Sequence, residues 1–180
     1  MERYRQMINA VLRTAVCISV LTWQLACDSR LPVEENLPPA FTGRAQIRLG
    51  QSEDSVARIT GIAHTETYDT DADNIYRLAI DSSLFESCML FVRNGRVYSI
   101  HLERASVRPS VAERLHDSLR VVCRNFYGTT FRTSTKRTDT LVAVTAEATT
   151  PRGATLWVSY TLRPSDSFLS FVLADYRFTD

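Results

Sequence analysis

The sequence predicts an α+β protein of two similar units, each a helix packed on an antiparallel sheet, placed after a signal peptide and a short tether. Three observations predict it. The order of elements is helix, strands, then helix, strands again. Asn94-Gly95 lies between two apolar runs, the strongest short-range hairpin signal because both residues tolerate positive φ. Val111, Leu115, Leu119, Val122 and Phe126 recur at helical spacing and form one apolar stripe. The folded domain is expected over 43–180, with its units at 47–104 and 107–178.

Residues 1–26 read as an export signal. A basic start (Arg3, Arg5, Arg13) precedes the uncharged run Thr14–Ala26. As a helix that run spans roughly 20 Å, short of the roughly 30 Å hydrocarbon core. Trp23-Gln24-Leu25-Ala26-Cys27 resembles a bacterial lipobox, in which a small residue precedes a lipid-modified cysteine. Gln24 stands where that pattern has an aliphatic residue. Cys27 is therefore the candidate lipidation site, and the chain is expected to be a lipid-anchored membrane protein of the bacterial cell envelope. Two alternatives remain: cleavage without lipid, against which Gln24 also spoils an A-x-A site, and an uncleaved anchor, against which the run is short. Residues 27–42 hold three prolines and no periodicity, so they read as an extended tether.

From Ile47 the elements follow in order. Ser52 is a good N-cap, with Glu53 and Asp54 in the first turn, where the helix dipole favours negative charge. Val56 and Ile59 supply the expected buried side of that helix, and Gly61 its stop. Strands are expected at Ile75–Ile80, Cys88–Val92 and Val97–Leu102. The second helix is expected from about Val111 to Tyr127, started by a Ser110/Glu113 capping box and ended by Gly128. Three strands follow at Leu141–Ala146, Thr155–Leu162 and Phe168–Tyr176. In Thr155–Leu162 the alternation places Leu156, Val158, Tyr160 and Leu162 on one face and Trp157 on the other.

Charge and composition exclude some functions. Of 21 basic and 20 acidic residues, three Arg and one Glu lie within 1–26, leaving a net charge of −1 on the remainder. That balance argues against a nucleic-acid partner, which calls for a basic surface. Export permits a disulfide between Cys88 and Cys123; the competing reading is two buried, small apolar side chains.

One stretch resembles a known family. Leu49-Gly50-Gln51-Ser52-x-x-x-Val56, a helix stopped by Gly61, and then Met89-Leu90-Phe91-x-x-Asn94-Gly95-x-Val97-x-x-Ile100 resemble the SmpA/OmlA-like lipoproteins. Those include the small lipoprotein of the outer-membrane barrel assembly machine. The pattern is also similar to tandem domains of the β-lactamase inhibitor protein type. The resemblance covers roughly 47–102 and implies binding to other proteins, not catalysis.

The remaining chemistry is sparse. Asp69, Asp71 and Asp73 alternate before Asn74 and are a weak Ca²⁺ candidate; the twelfth place, where an EF-hand needs Glu, holds Ile80. Glu113-x-x-His116 matches half of a carboxylate di-iron motif, but the second motif is missing, so a solvent-facing helix pair is expected. His64 and His101 are isolated, although His101 shares a strand face with Ser99 and Glu103. Nucleophile-elbow, zinc-spacing and phosphate-loop motifs are absent from the sequence. No cofactor is expected. The leading expectation is a non-catalytic envelope lipoprotein that binds a protein partner through an exposed sheet face or edge, with Trp157 as the candidate anchor. The alternative is an envelope ligand-binding or inhibitor module, and the third choice a hydrolase without a recognisable site.

Overall fold

A computed structural model describes residues 34–43, 46–60, 66–68, 73–80, 82–164 and 167–178. Strands β4 (Asp73–Ala79), β5 (Ser87–Arg93) and β6 (Arg96–Arg104) form a meander around the Asn94-Gly95 turn. Asn94 and Gly95 have φ of 52° and 71°, as a two-residue hairpin turn of this sequence requires. Short β3 (Glu66–Tyr68) pairs along the free side of β4. A second meander comprises β7 (Arg132–Thr138), β8 (Leu141–Thr149), β9 (Thr155–Leu162) and β10 (Ser167–Ala174). All these pairings are antiparallel.

The expected pair of separate helix-on-sheet units is contradicted. The protein is mostly β, and β6 and β10 pair directly from Ser99↔Ala174 to Arg104↔Leu169. The result is one eight-stranded antiparallel sheet in the order β3-β4-β5-β6-β10-β9-β8-β7. Its core is continuous across the seam: Leu90, Ile100 and Leu102 on one side pack in the same cluster as Leu156, Val158, Leu169, Phe171 and Leu173 on the other. A shared apolar face and a shared ladder of backbone bonds make one body out of what the element order divides.

The stretch expected to be tether takes part in this body from Glu34 onward. It supplies β1 (Glu35–Asn36), which pairs with β2 (Arg48–Leu49), and the single-turn helix α1 (Pro39–Thr42). Pro39 occupies the first helical position, where its missing N–H costs nothing. Leu37 and Phe41 are buried, and the Phe41 ring lies 5.4 Å from Phe85 and 4.9 Å from Phe171, edge-on to both. Tyr127 donates to the Asn36 carbonyl at 2.9 Å, and Thr150 donates to the buried Glu35 carboxylate at 2.7 Å.

Helix α2 (Glu53–Thr60) packs on β4. Ser52 precedes it, and the Ser52 carbonyl accepts from Ser55 and Val56. Val56 is buried as expected, but Ile59 is 44% exposed. Glu53 instead fixes the helix, accepting from Asn74 Nδ2 at 2.7 Å and from the Tyr76 hydroxyl at 2.8 Å. The helix start is also stitched to the hairpin. Gly50 N–H donates to Val97, Val97 N–H to Gln51, and Glu53 N–H to Gly95. Gly50 has φ of 74°, and a Cβ there would sit 2.7 Å from the Phe178 ring. Those bonds give a physical reason for the Gly50-Gln51-Ser52 and Asn94-Gly95 segments to occur together.

Helix α3 (Pro109–Tyr127) lies across β9 and β10. Pro109 opens it and Gly128 closes it, in the left-handed conformation with its N–H on the Arg124 carbonyl. Ser110 falls inside the first turn, behind Arg108 as N-cap with no side-chain cap bond, so the expected capping box is not used. The buried seam is Ala112, His116, Leu119, Cys123 and Tyr127, one position round from the predicted stripe; Phe126 is 46% exposed. Small Ala112 and Cys123 let the helix approach the sheet, while Val111, Leu115 and Val122 straddle the contact half-buried. Among the described residues no helix is long and apolar enough to cross a membrane.

Candidate functional site

Helices α2 and α3 cover one face of the sheet, since Val56 and Leu119 belong to its core cluster. Strand alternation sends every second side chain to the other face. The register aligns one such row across seven strands: Arg77, Met89, His101, Val172, Trp157, Glu147 and Arg132 are successive Cα partners. Met89, His101, Val172 and Trp157 are half-buried in this row, and Arg77, Glu147 and Arg132 at its ends are exposed. The centre of the row is thus more apolar than its ends, the sense in which the core and rim of protein interfaces differ.

An aromatic group adjoins the row on β5 and β6. A register shift at Phe91/Val92 leaves Tyr98 as the extra residue on β6. The Phe91 ring lies 4.5 Å from His101 and 6.3 Å from Tyr98, and Tyr98 lies 6.1 Å from Tyr176, which is 57% exposed. The Arg93 guanidinium stands 5.5 Å over the Tyr98 ring. Aromatics, Met and Arg are the types over-represented at interfaces, and Trp, Tyr and Arg at their hot spots.

Catalytic chemistry is poorly served here. His101 Nε2 lies 3.0 Å from Ser99 Oγ, a serine–histidine pair on the face where the sequence placed it. Burial lowers the His101 pKa to about 4, far below the range of an efficient general base at neutral pH. Ser99 itself is buried.

The other sequence candidates separate. Cys27, Asp69, Asp71, Gly61 and His64 lie outside the described residues; Asp73 opens β4. Cys88 on β5 and Cys123 on α3 are buried free thiols, so the candidate disulfide is not formed; burial pushes both pKa values up to about 12. Thiols held protonated in this way are inert. Glu113 is exposed, but His116 is 2% exposed and does not face solvent. Its Nε2 lies 3.2 Å from the Val158 carbonyl, a geometry that makes this nitrogen the donor, while burial, with Arg120 adding, lowers its pKa. Among the described residues no cluster of three or more His, Cys, Asp or Glu is arranged to hold a metal ion.

A groove of about 700 Å³ lies on the helix side, between α1, the β2 segment and the exposed Ile59 and Phe126. Gln46, Gln51 and Ser55 share its lining with Leu37 and Ile47, and it is open to solvent.

Sequence reasoning identified Trp157 on the outer face, and the register bears that placement out. It missed Met89, Phe91 and Arg93 as surface groups, because SCMLFVR reads as one apolar run. The signal was present in the alternation with buried Cys88, Leu90 and Val92. Compared with known protein families, curated proteins and solved structures, the chain matches none.

Proposed function

We propose that this chain is a non-catalytic lipoprotein of the cell envelope that binds a protein partner through the open face of its sheet. The observation that carries the reading is the uninterrupted row from Arg77 to Arg132, with Met89 and Trp157 half-buried within it and the Phe91–Tyr98–Tyr176 group beside it. On this face, turned from α2 and α3, Trp157, Met89 and Phe91 keep part of their apolar surface in water, although Tyr98 is buried among its neighbours. A partner would desolvate what is left exposed. The resemblance of residues 47–102 to envelope lipoproteins points the same way.

Two measurements test the reading. Full-length protein extracted in mild detergent and cross-linked should recover a partner. Trp157→Ala with Phe91→Ala should reduce that recovery about tenfold or more, the loss expected of hot-spot truncation. Unchanged recovery from a folded double variant rejects the face as the site. For the anchor, labelling with palmitate should mark the wild type and not Cys27→Ala; equal labelling of the two rejects Cys27 as the modified residue.

A further inference from the structure

We infer that the outer edge of β7 is a strand-addition site for an extended acidic segment of a partner protein. This rests on the protein-binding reading above and adds a second surface with a stated chemistry.

The edge is long, and among the described residues no strand pairs with it. β7 pairs with β8 from Arg132↔Glu147 to Thr138↔Leu141 with no register shift, and it is the last strand of the sheet. All seven of its residues are exposed. An edge strand presents a row of unpaired N–H and C=O groups, which natural proteins usually blunt with proline, a bulge, a covering loop or charge. The sequence RTSTKRT has no proline, and the continuous register has no bulge. Charge is the device this strand uses.

That charge is of one sign. Arg132 and Lys136 stand on the open face, Arg137 on the helix face, and Lys136 is the chain's single lysine. None of the three makes an ion pair among the described residues, although Glu147 stands opposite Arg132 in register. A guard built from charge alone is a filter. It repels a second copy, because antiparallel self-pairing about Thr135 would gather two sets of these cations in one ribbon. It admits a strand of opposite sign, whose carboxylates alternate to meet Arg132 and Lys136 on one face and Arg137 on the other. Main-chain bonds along the edge would supply affinity and the charges selectivity. Arg132 also ends the row of the open face, so an added strand would continue that face and one partner could occupy both.

The probe is a short fluorescent peptide alternating glutamate with valine and threonine, titrated against the full chain at low salt. Binding should be saturable, slow amide exchange along Arg132–Thr138, and place a peptide carboxylate where carbodiimide couples it to Lys136. Arg132→Glu with Lys136→Glu and Arg137→Glu should weaken it about tenfold or more and give measurable affinity for the lysine version of the peptide. All three positions are exposed, and circular dichroism checks that this variant folds. Methylating alternate peptide nitrogens, which keeps charge and removes donors, should abolish binding. Absence of binding overturns the proposal, and so does equal binding of the methylated peptide, which would mean charge attraction without strand addition. Partner recovery reads the open face and peptide binding reads the edge, so failure at the edge and failure of the open face are separately visible.

Discussion

Replacing Phe41 by alanine should destabilise the protein by about 3–5 kcal/mol, the range for emptying a fully buried aromatic site. The ring is 0% exposed and touches Phe85 and Phe171, which come from the β4–β5 connection and from β10. Phe171 is held in the β10 ladder on both sides and cannot move in to close the gap. The same argument extends to the whole segment. A chain beginning at Gly43 would lose Leu37 and Phe41 from the core and leave the Tyr127 and Thr150 hydroxyls without their β1 partners. Urea denaturation of Phe41→Ala and of the shortened chain checks both. A shortened chain with wild-type stability would show that residues 34–42 are accessory after all.

That segment also shows why part of the fold was hidden. Three prolines and the absence of periodicity read as tether, yet Leu37 and Phe41 lie four apart and both are buried. A single-turn helix is too short to display a repeating pattern. β7 was missed for a different reason. RTSTKRT has no apolar side chain to alternate, since an edge strand with both faces exposed has nothing to bury. The β6–β10 seam was illegible because it joins residues about seventy apart in sequence, and local patterning says nothing about which meander edges meet.

What burial alone dictates was legible. The expected strand Thr155–Leu162 matches β9 at both ends, and its alternation put Trp157 on the correct face. The Asn94-Gly95 turn and the Gly128 stop were readable because each needs a positive φ that few residues adopt. The α3 stripe came out one position off. Apolar size suggested Phe126 and Val122, whereas close approach to the sheet selected Ala112 and Cys123. The candidate site lies between these cases. One anchor was visible, but the neighbouring group on β5 and β6 depends on a register shift that brings Tyr98 beside Phe91.

Stability should fall as pH drops from about 6.5 towards 4, with a contribution from His101 of about 3 kcal/mol by the lower limit. The sign follows from where the protons bind. In the unfolded chain His101 has its ordinary pKa near 6.5, and in the fold burial lowers it to about 4. Between those values the unfolded state holds the extra proton, so acid draws the equilibrium towards it, and the stabilisation present above pH 6.5 is lost. Apart from the Ser99 hydroxyl, 3.0 Å from its Nε2, the imidazole has little to receive a charge. Met89 and Val172 are its cross-strand neighbours and Phe91 stacks near it. His116 acts in the same direction, because its depressed pKa likewise reflects burial first and the Arg120 charge second. Glu35 acts oppositely: burial raises its pKa, so its protonated form is favoured in the fold and offsets part of the loss below that value. Denaturant midpoints at pH 7.5 and pH 4.5 measure the difference. His101→Leu should flatten the slope while keeping the fold, since leucine fills the same half-buried place without a proton to bind. An equal slope in wild type and variant would remove His101 as its source. The same titration bears on binding, because a charged imidazole in the middle of the Arg77–Arg132 row would place a cation at the apolar centre of the face proposed to hold the partner.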